Sequence, residues 1–317
     1  TDKFAVALSG GSDSLALLHL LKETFSSADI TALTVDHQLR EGSSQEATHV
    51  GQWMQQENIA HHILTWKHHF LEGNLQANAR QARYQLMTNW CKEHDYTVLL
   101  LGHTQDDQAE TIAFMRARNS GPVGLSGMSA RRTFNTITMV RPLLGHKRQE
   151  LQDWLTKRNI EWIDDPSNRN TDFTRVQIRQ ELAQDPTQKA ELLKLGRQMS
   201  IQRIEIEKSH AYFAKHHLTR KDKSISCALS SLLRLDEDQA AYTLGKMIQY
   251  VGGKEYPPRY AKRLRCLEKL KKGEESKITL GHCQILVNEK DLIFTPEKDS
   301  TSFGFKPLVT EPFTPIF

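Results

Sequence analysis

The segment Ser9-Gly10-Gly11-Ser12-Asp13-Ser14 constrains this chain more than any other. It follows an apolar run, Phe4-Ala5-Val6-Ala7-Leu8, and opens a stretch with Leu15, Leu18, Leu21 and Phe25 at helical spacing. Strand, small-residue turn and helix is the layout of an anion cradle. Gly10 and Gly11 have access to positive φ and let backbone N–H groups approach an anion. Ser9, Ser12 and Ser14 add hydroxyl donors, and the helix turns its positive end to the same spot. The lysine of a Walker A loop is absent. Asp13 would repel a phosphate unless a Mg²⁺ lay between them. Ser and Asp also suit simple N-caps of a strand-to-helix turn; the whole six-residue pattern, on its strand and ahead of its helix, favours a nucleotide held with a divalent cation.

The rest of the first half repeats the alternation. Strands are expected at Ile30 to Val35, His61 to Trp66 and Val98 to Leu101. Helices are expected from Ser43, where Ser43 and Glu46 read as a capping box ahead of Ala47, Val50 and Met54, and over Asn74 to Glu93, Gln105 to Arg118 and His146 to Arg158. This is the pattern of a Rossmann-like α/β fold, a parallel sheet with helices on both faces. Ligands of such sheets sit beyond the carboxyl ends of the strands. Those ends carry Ser9-Gly10, Asp36-His37 and Gly102-His103, three chemically rich spots on one predicted edge.

Beyond Gly102-His103 comes Thr104-Gln105-Asp106-Asp107-Gln108-Ala109-Glu110-Thr111. Adjacent carboxylates just past a strand, with a third a turn later, can hold a metal or act as a base. Thr104 with acids in the first turn also suits helix capping. Asn119 to Gly127 and Asp164-Asp165-Pro166-Ser167-Asn168 read as loops. Asp185-Pro186 reads as an N-cap with Pro at the first helical position. It opens a long helix to about His217, with Leu192, Leu195, Met199 and Ile206 on one stripe.

The expected organisation is a catalytic domain over 1–185, a helical linker over 186–223, a small basic α+β domain over 224–297 and a tail over 298–317. In the third part, short strands are expected at Lys277 to Leu280, Gln284 to Asn288 and Leu292 to Thr295. Between Lys254 and Lys272 lie eight Lys or Arg against two Glu, with Tyr256 and Tyr260 among them. Such a stretch suits an RNA backbone with exposed bases, or a solvated helix face. A net charge of +4 permits an RNA partner without demanding one. The cysteines, Cys91, Cys227, Cys266 and Cys283, form no CxxC pair. That disfavours a zinc, iron–sulfur or disulfide framework and fits a cytoplasmic location. His61-His62 and His68-His69 lack a Cys or acid at ligand spacing. No membrane span or signal peptide is expected.

With these motifs in order, the chain resembles the PP-loop superfamily of N-type ATP pyrophosphatases, and within it the tRNA(Ile)-lysidine synthetase family. Besides Ser9–Ser14 and the Asp106 run, the resemblance rests on Val35-Asp36-His37-Gln38-Leu39-Arg40, Asn74-Leu75 with Ala79-Arg80-Gln81-Ala82-Arg83-Tyr84, Gly124-Leu125-Ser126-Gly127-Met128, Arg141-Pro142-Leu143-Leu144 and Trp162-Ile163-Asp164-Asp165-Pro166-Ser167-Asn168. The chain departs from the family at Asn119, where Arg-Gly-Ser-Gly is usual, and at Val176, where Arg-Asn is usual. The resemblance implies that the carbon-2 oxygen of the wobble cytidine of isoleucine tRNA (CAU anticodon) attacks the α-phosphate of ATP. Pyrophosphate leaves into the Ser9–Ser14 turn. The ε-amine of free L-lysine then displaces AMP to form lysidine, changing AUG to AUA decoding. On this reading Asp13 and Asp107 hold Mg²⁺, with Asp106 as the alternative to Asp107. His103, at the same edge, suits ATP binding beside the turn and a structural hydrogen bond equally well. Asp36 orients or deprotonates the lysine amine. Arg118 and Arg175 neutralise the α-phosphate or contact the tRNA. Arg80 and Arg83 fit a solvated helix face equally well. The oligomeric state stays open, a homodimer included. The rival readings are a PP-loop tRNA thiolase, an ammonia-using PP-loop amidotransferase or NAD synthetase, and a tRNA-binding protein with an inactive ATP site.

Overall fold

The computed structural model describes residues 2–39, 42–67, 75–164, 174–254, 256–273, 275–288, 290–297, 308 and 314–315. Arg40, His68-His69, Asn74, Asp165-Pro166-Ser167-Asn168 and most of the tail lie outside the described residues.

The first half runs β1 (Lys3–Ala7), α1 (Ser12–Thr24), β2 (Asp29–Asp36), α2 (Ser43–Gln56), β3 (Ala60–Thr65), α3 (Leu75–Glu93), β4 (Val98–Leu101), α4 (Gln105–Ala117), α5 (Pro122–Leu125), β5 (Arg131–Phe134) and β6 (Ile137–Val140). A 3₁₀ turn (Pro142–Gly145), α6 (Arg148–Thr156), α7 (Thr174–Gln184) and α8 (Pro186–His216) follow. Then come β7 (Thr219–Lys221), β8 (Ser224–Ala228), α9 (Leu229–Leu233), α10 (Glu237–Gly252), α11 (Tyr260–Lys272), β9 (Lys277–Leu280), β10 (Cys283–Val287) and β11 (Asp291–Pro296).

The chain divides into two compact units, one of Thr1–Thr111, Met128–Lys189 and Thr314–Phe317, the other of Ile112–Gly127 and Ala190–Phe313. The first holds a sheet in the order β3-β2-β1-β4-β6-β5. Its pairings are parallel except at the edge, where β5 runs antiparallel to β6. The β5–β6 hairpin was not anticipated, because Ile137–Val140 is short and its turn, Asn135-Thr136, contains no glycine.

Period-2 alternation sorts the strands onto two cores. Val6, Leu8, Ala32 and Leu100 join Leu15 and Leu18 of α1, Val50 and Met54 of α2, and Leu151 and Leu155 of α6. Ala5, Leu33, Leu99 and Leu101 join Tyr84, Met87 and Trp90 of α3. Each fully buried Leu contributes roughly 1.5–3 kcal/mol of transfer free energy, so both faces of the sheet are apolar-driven. Phe25 lies one residue past α1, 42% exposed, against Phe4 at a ring distance of 5.3 Å.

Three local expectations change. Ser43 does not cap α2: the N-cap is Gly42 at φ 91, and the Ser43 hydroxyl turns to Asp36. The buried stripe of α8 is Leu192, Gly196, Ser200, Ile206, His210 and Phe213, while Leu195 and Met199 are half-buried. Small residues are needed there because Ile112 lies where a Gly196 side chain would go. The Asn119–Gly127 segment contains the short α5. The Asp185-Pro186 start is as expected, with Asp185 Oδ1 accepting from Gln188 N at 2.8 Å.

The second unit carries the antiparallel sheet β7-β8-β11-β10-β9 around Ile285, Leu292 and Phe294, packed on Leu244, Met247 and Ile248 of α10. Strands β9 to β11 fall where the alternation placed them; β7 and β8 were not anticipated. Among the described residues no helix is long and apolar enough to cross a membrane.

Candidate functional site

The Ser9–Ser14 turn is built by its own hydroxyls. Ser14 Oγ accepts from Ser9 N at 3.1 Å and donates to Gly11 O at 2.9 Å. Gly10 takes φ +81, and an added Cβ would stand 2.7 Å from Val50 Cγ2 and 3.0 Å from Ile163 Cδ1. Its carbonyl accepts from Ile163 N at 2.9 Å. Gly11 does not use positive φ; it is the N-cap of α1 at φ −76, with no side-chain cap. The first amides of α1 thus keep no side-chain acceptor of their own at the cap, as an anion-binding helix end requires. Gly102 lets β4 end against this turn, since a Cβ there would lie 2.9 Å from Asp13 O.

The carboxylates after β4 meet Asp13, and a residue not singled out from sequence joins them. Arg148, at the start of α6, donates from Nε to Asp13 Oδ2 at 2.8 Å and from a terminal nitrogen to Asp107 Oδ1 at 3.2 Å. Its backbone N–H donates to Asp106 Oδ2 at 2.9 Å. Asp107 Oδ2 accepts from Thr104 N at 2.8 Å and Thr104 Oγ1 at 2.9 Å, so Asp107 also caps α4. Asp106 Oδ1 is bound by Lys189 Nζ at 2.5 Å. Glu110 is gripped by Arg179, at 2.6 and 3.2 Å.

These partners set the charges. Burial raises the Asp13 carboxyl above the ordinary aspartate range despite Arg148. For Asp107 burial also acts upward, but Arg148 and the Thr104 bonds outweigh it and hold the carboxyl low. Asp106 is held low in the same way by the Arg148 amide and Lys189. Asp13 and Asp107 therefore share one cation in this structure, the Arg148 guanidinium. Their hard oxygen donors suit Mg²⁺, which would have to displace Arg148. Among the described residues no group of three or more His, Cys, Asp or Glu is arranged to hold a metal.

Asp36, 5% exposed, ends β2. Its Oδ1 accepts from Gln38 N at 3.1 Å and Ser43 Oγ at 2.9 Å, and Oδ2 from Ser44 Oγ at 2.5 Å. Burial alone would raise this carboxyl, yet the serine bonds keep it below the usual range. Burial pushes His103 down to about 3, so its ring is neutral at physiological pH. Arg175, at the start of α7, feels the charges of Arg80, Glu110 and Asp107. Arg118 belongs to the second unit, with its guanidinium 4.9 Å from the Phe114 ring centroid. Asn119, where glycine is usual in the family, takes φ 50, a left-handed conformation that Asn tolerates. Val176, in place of the usual Asn, is buried.

Two further expectations are revised. Arg263 is not part of an exposed basic face: a terminal nitrogen donates to Ala241 O at 3.1 Å, and its side chain covers Gly245. Tyr260 is half-buried and donates to Asp238 at 2.5 Å. Lys254, Arg259, Lys262, Arg265, Lys271 and Lys272 remain exposed, with Tyr256 68% exposed. His61 Nε2 bonds the Thr34 hydroxyl at 2.8 Å, a structural role. The four cysteines are all free and buried.

The PP-loop domain matches residues 1–185, so the chain belongs to the PP-loop family. The U34-tRNA thiolase NcsA from Methanococcus maripaludis, a solved structure with its [4Fe-4S] cluster, shares the fold at a TM-score of 0.54 and 16% identity, covering 63% of this chain and 72% of that one. Closer in sequence is a tRNA(Ile)-lysidine synthase from Ruegeria pomeroyi, 35% identical over 301 residues, covering 93% of this chain and 71% of the relative. A tRNA(Ile)-lysidine synthase from Orientia tsutsugamushi is 38% identical over 228 residues, covering 71% of this chain and 49% of the relative. Within the PP-loop proteins, the chain belongs to the tRNA(Ile)-lysidine synthase family.

Proposed function

We propose that this chain ligates lysine to carbon 2 of the wobble cytidine of isoleucine tRNA bearing CAU, using ATP and passing through an adenylated cytidine. The observation that carries this reading is the Ser9–Ser14 turn, an anion cradle without a lysine, beside a carboxylate pair that shares one cation. Family membership supplies the acceptor.

The chain's own groups divide the work as follows. Backbone amides at the start of α1 and the turn hydroxyls hold the β- and γ-phosphates, and stabilise pyrophosphate as it leaves. Asp13 and Asp107 are the residues that would hold Mg²⁺. When bound, that ion offsets charge on the departing pyrophosphate. Were that ion to take the carboxylates, the Arg148 guanidinium beside them would be released to pair with phosphate oxygens. Asp36, already bonded by two serines and held low in pKa, suits orienting the ammonium end of lysine better than removing its proton. Neutral His103 contacts the nucleotide, Arg175 counters phosphate charge, and Arg118, on the second unit, contacts the tRNA. Exposed Lys262, Arg265, Lys271 and Lys272 bind the tRNA backbone. The work is cytoplasmic, where the buried thiols stay reduced.

The test is incubation with ATP, labelled L-lysine and isoleucine tRNA bearing CAU, followed by nucleoside analysis. Labelled lysidine and stoichiometric AMP are expected. ATP–pyrophosphate exchange without any lysine incorporation would overturn the ligase reading while keeping the ATP site.

A further inference from the structure

A group of arginines in the first unit remains unexplained by the site above. Arg80 and Arg83 lie on one face of α3, three residues apart, and Arg141 follows β6. Arg80 lies 5.1 Å from the Tyr84 ring centroid, and the charges of Arg80, Arg83 and Arg141 all act on the phenol. Arg175 approaches the same group from α7.

Among the described residues, Arg80, Arg83 and Arg141 make no ion pair. Two acids of the described residues in this region are committed elsewhere, Asp107 to Arg148 and Thr104, and Glu110 to Arg179. Arg141 is 4% exposed and donates to Ser129 O at 2.8 Å, yet its buried Nε has no hydrogen-bond partner. The buried Nε of Arg83 and Nδ1 of His103 likewise have none. Burial and the neighbouring positive charges hold Arg83 and Arg141 below the ordinary arginine range. Arg141 also hydrogen-bonds the Tyr84 hydroxyl, so what is left unmet is the buried Nε of Arg83 and of Arg141. Packing like charges together with such atoms unbonded costs stability. A tetrahedral oxyanion would meet the unused N–H donors and reverse the repulsion, as guanidiniums do for phosphate.

We propose that Arg80, Arg83 and Arg141, beside His103, form a second phosphate site, separate from the Ser9–Ser14 turn, which takes a single phosphate group of a substrate. The group comes from one of two sources, the nucleotide or the RNA strand next to the reacting base. The identity of these sources rests on the function proposed above; the phosphate chemistry does not.

The experiment compares wild type with Arg80→Gln, Arg83→Gln and Arg83→Lys. Arg141 is left intact because it also ties Ser129 to the sheet. Three probes are used: inorganic phosphate, read by thermal melting; a non-hydrolysable ATP analogue with Mg²⁺, read by calorimetry; and a CAU anticodon stem-loop, read by fluorescence anisotropy across a salt series. Inorganic phosphate should raise the melting point of wild type and do so less in Arg83→Gln. One macromolecular or nucleotide arm should weaken at least tenfold in the Gln variants and stay within twofold in the other, which identifies the source. If both arms fall together, Arg83→Lys must restore one of them, and its failure to do so overturns the proposal. Both arms within twofold of wild type, with an unchanged phosphate response, also overturn it. If wild type binds neither stem-loop nor analogue, the functional reading fails instead, and the phosphate response alone decides the site.

Discussion

The two glycines of the turn look equivalent in sequence, and the structure separates them. Gly10→Ala forces a side chain into a left-handed conformation at φ +81. That costs about 1–2 kcal/mol of backbone energy. The new methyl also meets Val50 Cγ2 at 2.7 Å and Ile163 Cδ1 at 3.0 Å, both packed on the sheet. Overpacking of this kind costs about 1–3 kcal/mol. Against this, Ala restricts the unfolded chain and recovers about 0.4–1 kcal/mol. The expected net loss is about 2–4 kcal/mol. Gly11→Ala is different, because Gly11 sits at φ −76 and its Cβ would meet Ser9 Oγ at 3.5 Å and Ile163 O at 4.0 Å, both ordinary contacts. Ala is a poorer N-cap than Gly, which roughly cancels the gain in unfolded-state entropy, so a change within about 1 kcal/mol is expected. The assay is urea denaturation followed by circular dichroism, paired with ATP–pyrophosphate exchange on the folded fraction. Exchange should collapse in Gly10→Ala, because the turn that presents the amides is displaced. Equal stability losses in the two variants, or none in Gly10→Ala, would refute the assignment of positive φ to Gly10 alone.

Other consequences follow from the charges. Arg148→Met leaves Asp13 and Asp107 facing each other; with side chains 24%, 17% and 20% exposed, a loss of about 2–3 kcal/mol is expected, smaller in Mg²⁺ than in chelator, by thermal melting. Asp36→Asn should cost about 1–2 kcal/mol at neutral pH by weakening the serine bonds that start α2. Because the folded pKa of Asp36 is depressed, the unfolded state binds more protons, so this advantage is complete above the unfolded value of about 3.9 and vanishes as pH falls through the folded one. Chemical denaturation of both proteins between pH 2.5 and 7 checks the sign. Replacing exposed Lys262 and Arg265 with Gln should weaken stem-loop binding and lower its salt slope by about 1–2. Arg263→Gln should instead lower stability, with the slope unchanged, since its guanidinium is held by Ala241.

Much of the architecture was legible because it is written in neighbouring residues. The period-2 runs of β1, β2 and β4, the helical spacing after Ser14 and the Asp185-Pro186 start are all local patterns. So is the run of acids after Gly102. The partners of those acids are not. Arg148 stands 135 residues from Asp13, and nothing near it distinguishes it from Lys147 or Arg158. Packing of α6 against α1 over Leu151 and Leu155 brings its guanidinium to the carboxylates. Basic character was equally visible at Arg263 and Arg265, two residues apart on one helix. Only the neighbouring α10, with a glycine at position 245, makes one of them structural.

The strand–turn–helix cradle, the parallel α/β scaffold and the family are readable from the chain alone, because they depend on residue type and period. The tertiary structure decided which of two adjacent glycines carries the strain and which cation occupies the place between Asp13 and Asp107. It also decided which arginines, among the described residues, keep a buried Nε without a hydrogen-bond partner. These depend on what packs opposite a residue, and burial changes the free energy of a charge or a methyl group far more than local sequence does.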